Sequence, residues 1–106
     1  MMGLDELNAS VTNAILRAEE LPPGSWEAQR AFCKVTDLEE EIATIVGAQT
    51  VEGAAARLGA VTAALSAGEP LRAIQLAERY LMDALSAGAR LRLEETIKDA
   101  IVRGSK

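Results

Sequence analysis

Carboxylates are the side chains in this sequence dense enough to suggest chemistry. Asp37, Glu39, Glu40 and Glu41 crowd together, and Asp37-x-x-Glu40 sets two of them about one helical turn apart. On a helix that spacing puts both on one face, where carboxylates can hold a hard cation such as magnesium. Two ligands do not make a site, so a neighbouring helix would have to supply the rest. Glu94, Glu95 and Asp99 do not repeat the spacing, and Glu78 and Asp83 stand five apart.

Other catalytic parts are missing. Without histidine there is no imidazole base, no Ser-His or Cys-His nucleophile pair, and no nitrogen ligand for zinc. The single cysteine, Cys33, lies between Phe32 and Lys34 and is expected to be a small, partly buried apolar residue. Lys34 would lower its pKa only if the thiol were exposed. The glycines stand singly, so no phosphate-binding loop can be built. No catalytic, cofactor-binding or metal-binding residue is assigned, and the chain does not read as an enzyme.

Charge narrows the partners. The net charge of −5 repels phosphate backbones, so nucleic acid is not an expected partner. No stretch approaches the ~20 apolar residues of a membrane span. A lone cysteine and the absence of a basic, apolar leader at Met1–Asn8 lead us to expect a cytoplasmic protein. Arginine outnumbers lysine eight to three beside 20 alanines, a bias expected of a GC-rich bacterial genome. Residues 1–53 hold three bases and ten acids, whereas 54–106 hold eight bases and six acids.

The elements that would position these groups are marked by punctuation. Leu21-Pro22-Pro23-Gly24-Ser25, Gly47-Ala48-Gln49-Thr50, Ser66-Ala67-Gly68-Glu69-Pro70 and Ser86-Ala87-Gly88 divide an otherwise helix-forming sequence. Each combines a helix stop with a restart, because glycine accepts the left-handed conformation, proline suits a first turn, and Ser or Thr caps the next helix. The expected fold is one all-α domain, 1–106, forming a compact bundle of about five helices. A long antiparallel hairpin, 4–47, packs on a shorter Ala-rich unit, 50–103.

Apolar spacing assigns the inward faces. Leu4, Leu7, Val11, Ala14, Ala18 and Leu21 form the stripe of the first helix, and Ile15 and Leu16 widen it. Ala28, Ala31, Val35, Leu38, Ile42 and Ile45 form that of the second, beside Trp26, Phe32 and Val46. The third is expected to bury Val51, Ala54, Leu58, Val61 and Leu65; the fourth, Leu71, Ile74, Ala77, Leu81 and Leu85; the fifth, Leu93, Ile97 and Ile101. Gly53 and Gly59 each cost about 1 kcal/mol inside a helix relative to alanine, so close helix packing is expected at both. Leu65-Ser66-Ala67-Gly68 recurs as Leu85-Ser86-Ala87-Gly88, which predicts two similar helix ends.

Two families offer partial likenesses. Asp37-x-x-Glu40 resembles half of the paired Glu-x-x-Glu and Glu-x-x-Asp motifs of all-α nucleotide pyrophosphatases, and the other half has no counterpart here. Leu58-Gly59 followed by Gly68-Glu69-Pro70-Leu71-Arg72-Ala73-Ile74 resembles a tetratricopeptide unit over residues 51–85. Its two glycines are nine apart, farther than in that family, and no second period follows.

A non-enzymatic protein-interaction or scaffolding module is therefore expected, with a protein partner. Self-association is expected as well, because the hairpin carries apolar positions beyond one seam and two hairpins would make a four-helix bundle. The candidate partner-binding residues are Asp37, Glu40 and Glu41 on the acidic face and Trp26 as an aromatic anchor. Two alternatives stand beside this. One is a small regulator of the toxin-neutralising or secretion-chaperone type whose acidic half covers a basic surface. The other is a degenerate tetratricopeptide-like module holding a peptide between helices three and four.

Overall fold

A computed structural model describes residues 3–104. Met1 and Met2, part of the segment inspected for a leader, lie outside the described residues, as do Ser105 and Lys106. Five helices account for the fold: α1 (Leu4–Glu20), α2 (Trp26–Ile45), α3 (Val51–Ser66), α4 (Pro70–Tyr80) and α5 (Ala87–Gly104).

The caps form largely where the sequence sets them. Ser25 Oγ accepts from the Ala28 N–H at 3.1 Å, Thr50 Oγ1 from Gly53 at 2.9 Å and Ser86 Oγ from Ala89 at 3.2 Å. Each satisfies an amide that a helix start would leave orphaned. Gly68, at φ +75°, closes α3. Its N–H donates to Leu65 and that of Glu69 to Ala64, the paired bonds of a Schellman end. Pro70 then opens α4 without losing a hydrogen bond.

Gly88 behaves differently. α4 ends at Tyr80, and Gly88 lies in the first turn of α5, so the echo of 65–68 in 85–88 does not produce two equivalent helix ends. Arg90 of α5 reaches back instead, donating to the Leu81 and Asp83 carbonyls at 2.7 and 3.3 Å. A guanidinium there supplies what a glycine end would have supplied, neutralising carbonyls at a negative helix terminus.

Each helix packs on the one before it, and α3 also meets α5. Among the described residues α1 and α3 make no close backbone contact, nor do α2 and α4. The chain therefore folds as a zigzag, with α1, α3 and α5 in one layer and α2 and α4 in the other. Its extents of 35 × 35 × 19 Å match a slab about two helices deep, given axes about 8–10 Å apart.

α3 is the hub, and small side chains make that possible. Ala56, Ala60 and Ala64 are buried on it, and Ala73 and Ala77 on α4 join the same core as Leu7, Leu38, Ile42, Leu76 and Leu93. This arrangement rotates two of the expected stripes. Val51 is 84% exposed and Leu71 67% exposed, whereas Gly53, Arg57, Ala73, Leu76 and Tyr80 are buried. Alanine faces let the backbones close up, and burying the Tyr80 ring removes more apolar area from water than burying Leu71 would. Ile45 and Ile101, also expected inside, are exposed near the ends of their helices, and Ala100 takes the inward place on α5.

Part of the apolar surplus of the 4–47 hairpin is covered within the chain, whereas Leu16, Trp26 and Ile45 stay exposed. Val35, Leu38, Ile42 and Ala43 on α2 are buried, and α2 packs on α1 and α3 together.

Candidate interaction site

Part of the acidic face is tied into a staple between helices. Arg72 on α4 reaches across the gap to α2, donating to Asp37 Oδ1 at 2.7 Å and Glu40 Oε2 at 2.6 Å. Arg79 adds a bond to Glu40 Oε1 at 3.1 Å, and Glu69 Oε1 lies 3.4 Å from Arg72. Asp37 and Glu40 thus tie α2 to α4, which do not touch through their backbones. Glu41 remains exposed. Trp26, the first residue of α2, is 64% exposed, and its ring lies under the Arg30 guanidinium, 4.9 Å from the centroid.

No group of three or more potential metal ligands gathers among the described residues. Asp37 and Glu40 already coordinate a guanidinium, which is the charge a cation would bring. Cys33 Sγ donates to Glu69 Oε1 at 3.2 Å. Burial pushes the thiol pKa up, and the bond and charge of Glu69 push it further against the weaker pull of Arg72. Lys34 does not activate it.

Sequence reasoning missed Arg57. This residue is only 7% exposed, and its side chain lies at the C-terminal end of α2. It donates to the Ala43 carbonyl at 3.1 Å, to Val46 at 3.0 Å, to Gly53 at 2.9 Å and to Asp83 Oδ2 at 2.9 Å. These four bonds use four of the five guanidinium protons, and a buried cation is tolerable when its protons are so directed and a helix end points its carbonyls at it. Arg57 and Arg79 both stand over the Tyr80 ring, at 5.6 and 5.5 Å. The buried Tyr80 hydroxyl makes no hydrogen bond of good geometry. Burial raises its pKa, and Arg79 opposes the shift. A cleft of about 430 Å³ runs past Glu40, Thr44, Arg57, Arg79, Tyr80 and Asp83, and the chain's own ion pairs cross it.

The opposite layer is more open. Because α1 and α3 stay apart, a trough of about 180 Å³ lies between them, with α2 as its floor. Ile15, Phe32, Val35 and Thr62 line it, and Glu39 stands beside Gly59 at its base. The Glu39 carboxyl makes no hydrogen bond or ion pair among the described residues, and burial raises its pKa to about 7. On the other flank of α3, a cleft of about 470 Å³ faces α5 and is lined by Val51, Ala54, Ala55, Leu58, Ala89 and Arg92. No family model matches the chain, and no curated protein or solved structure matches it.

The two flanks meet on one stripe of α3. Val51, Ala55 and Thr62 are exposed between them, and Leu58 and Gly59 are half-buried at the edges. Between α3 and α4, in contrast, Ala64, Ala73 and Ala77 are fully buried and the two helices pack directly. One uncovered face of the Ala-rich unit is the outer side of α3. The sequence carried a signal for it: small residues continue round the helix past the width of a single inward stripe.

Proposed function

We propose that this protein is a non-enzymatic interaction or scaffolding module that engages a protein partner through the uncovered stripe of α3. The observation that supports this is the stripe itself: Val51, Ala55 and Thr62 are exposed on the central helix of the fold, between one cleft toward α1 and another toward α5. A central helix would ordinarily be covered, and small, apolar, concave surface is what a docking segment needs. Arg57 and the Arg72 staple tie α2, α3 and α4 to one another beneath this stripe.

Peptide display against the immobilised full chain tests this. Enriched peptides should protect amides of α3 from hydrogen exchange, and Ala55→Trp, a change on the outer face, should abolish their binding while leaving the helical circular dichroism unchanged. A selection without enrichment, or binders indifferent to Ala55→Trp, would overturn the reading.

Self-association is a second reading, and the outer side of α5 favours it. Leu91 and Val102 are exposed there about three turns apart, on the terminal helix of the zigzag. Light scattering that gives a monomer mass at tens of micromolar would rule it out.

A further inference from the structure

We infer that the trough between α1 and α3 receives one basic side chain of the protein partner, with the Glu39 carboxylate as its anchor. This deepens the reading of α3 as a docking face and rests on it.

Among the described residues seven charged side chains are buried or half-buried: Glu39, Glu40, Arg57, Glu69, Arg72, Asp83 and Arg90. Six of them have partners within the chain. Arg57 pairs with Asp83, Arg72 with Glu40 and Glu69, and Arg90 with two carbonyls. Glu39 is the exception. An unpaired carboxyl withdrawn from water destabilises a fold, so a side chain of this kind is retained at a cost unless a cation completes it.

Geometry sets the form of that cation. Position 59 has no side chain, which leaves the Glu39 carboxyl room against α3. Above it the space of about 180 Å³ is walled by Ile15, Phe32, Val35 and Thr62. That is room for the methylene stem of one lysine or arginine, whose charged tip would reach the base, and too little for a helix. Among the described residues no other ionisable group lines the space: α1 contributes Ile15, α2 contributes Phe32 and Val35, and α3 contributes Gly59, Thr62, Ala63 and Ser66, none of which titrates. The excess of ten acids over three bases in residues 1–53 attracts a basic segment to this end of the molecule.

Binding then carries a proton signature. Burial keeps Glu39 partly protonated near pH 7, and an arriving cation favours the ionised form, so association releases a proton and tightens as pH rises through that range.

The test uses peptides selected by display on the full chain, resynthesised and titrated by calorimetry at about pH 6 and about pH 8. The selected peptides should share a lysine or arginine and protect α3. Replacing that residue by norleucine, or Glu39 by Gln, should weaken binding about tenfold at the higher pH and remove the proton release. The norleucine arm reads the same contact in the unaltered protein, so the outcome does not depend on how the variant folds. Peptides that protect α3 but share no basic residue, or whose affinity neither replacement changes, would overturn the Glu39 receptor and leave the docking face standing. Absence of binders, or protection elsewhere, would overturn both.

Discussion

The carboxyl group of Glu39 on α2 stands in the space that a side chain at position 59 of α3 would fill. Gly59 is therefore not a flaw in a helix but the complement of a residue on its neighbour. Gly53, one helix face away, has a different complement, the backbone carbonyl of Gly47. One obstacle is the tip of a flexible side chain and the other is main chain, and the two glycines should respond differently to the same change.

Gly59→Ala should be neutral or stabilising by up to about 1 kcal/mol, because alanine favours helix and the Glu39 carboxyl can swing into the trough. The carboxyl pKa should fall toward its ordinary value as it re-enters water. Gly53→Ala meets the backbone at Gly47 and should cost about 2 kcal/mol or more. Thermal melts of both variants and carboxyl-carbon NMR titration of Gly59→Ala check the contrast.

Stability should fall as pH rises toward about 7 because of Glu39. Between the ordinary glutamate pKa of 4.5 and about 7 the folded chain holds a proton that the unfolded chain has released, so this contribution is greatest below that window and lost above it. The full shift would correspond to about 3 kcal/mol; water reaches the half-exposed carboxyl, and about 1 kcal/mol is expected. Glu39→Gln should add about that amount at pH near 8 and little near pH 4, below the window. Urea melts across this range measure it.

Removing Arg57 should be the most damaging single change at a charged position. Arg57→Met leaves the Ala43 and Val46 carbonyls and Asp83 without their donor, at a cost of about 3 kcal/mol or more. Arg57→Lys should recover only part of it, since one ammonium cannot reproduce the planar fork that reaches three elements. Chemical denaturation of the two variants should rank them in this order.

Arg72→Ala should cost less, about 1–2 kcal/mol, because the staple is partly exposed. The loss leaves Asp37, Glu40 and Glu69 facing one another, so added salt should narrow the gap from the parent protein. Melts at low and high ionic strength test the sign.

Cys33 should react slowly with a disulfide reagent near pH 8, since burial and Glu69 both raise its pKa. Glu69→Gln removes the charge that holds the thiol protonated and should speed the reaction roughly three- to tenfold. An unchanged rate would mean that access, and not ionisation, limits the thiol.

Much of the fold was legible because helix ends are local events. Ser25, Thr50 and Gly68 act through bonds to residues three positions away and Pro70 through its fixed φ, and such effects follow from sequence order. The stripes on α1 and α2 were legible for the same reason, since Leu7, Val11, Val35 and Leu38 repeat at helical spacing and leave little choice of face. The face of α3 was not. When most of a helix is alanine and glycine, periodicity barely distinguishes its sides, and the neighbours decide which one is buried.

The site residues divide along the same line. The sequence by itself determined that acids cluster at Asp37–Glu41 and that a helix would carry them. Only the tertiary structure decided that Asp37 and Glu40 are paired with Arg72, that Glu41 stays in water and that Glu39 is half-buried without a partner among the described residues. It also placed Arg57, with no motif around it, at the end of α2. The physical reason is that the state of a charge depends on what lies within a few ångströms. Those neighbours come from helices more than a dozen residues away, at rotations that close alanine packing sets.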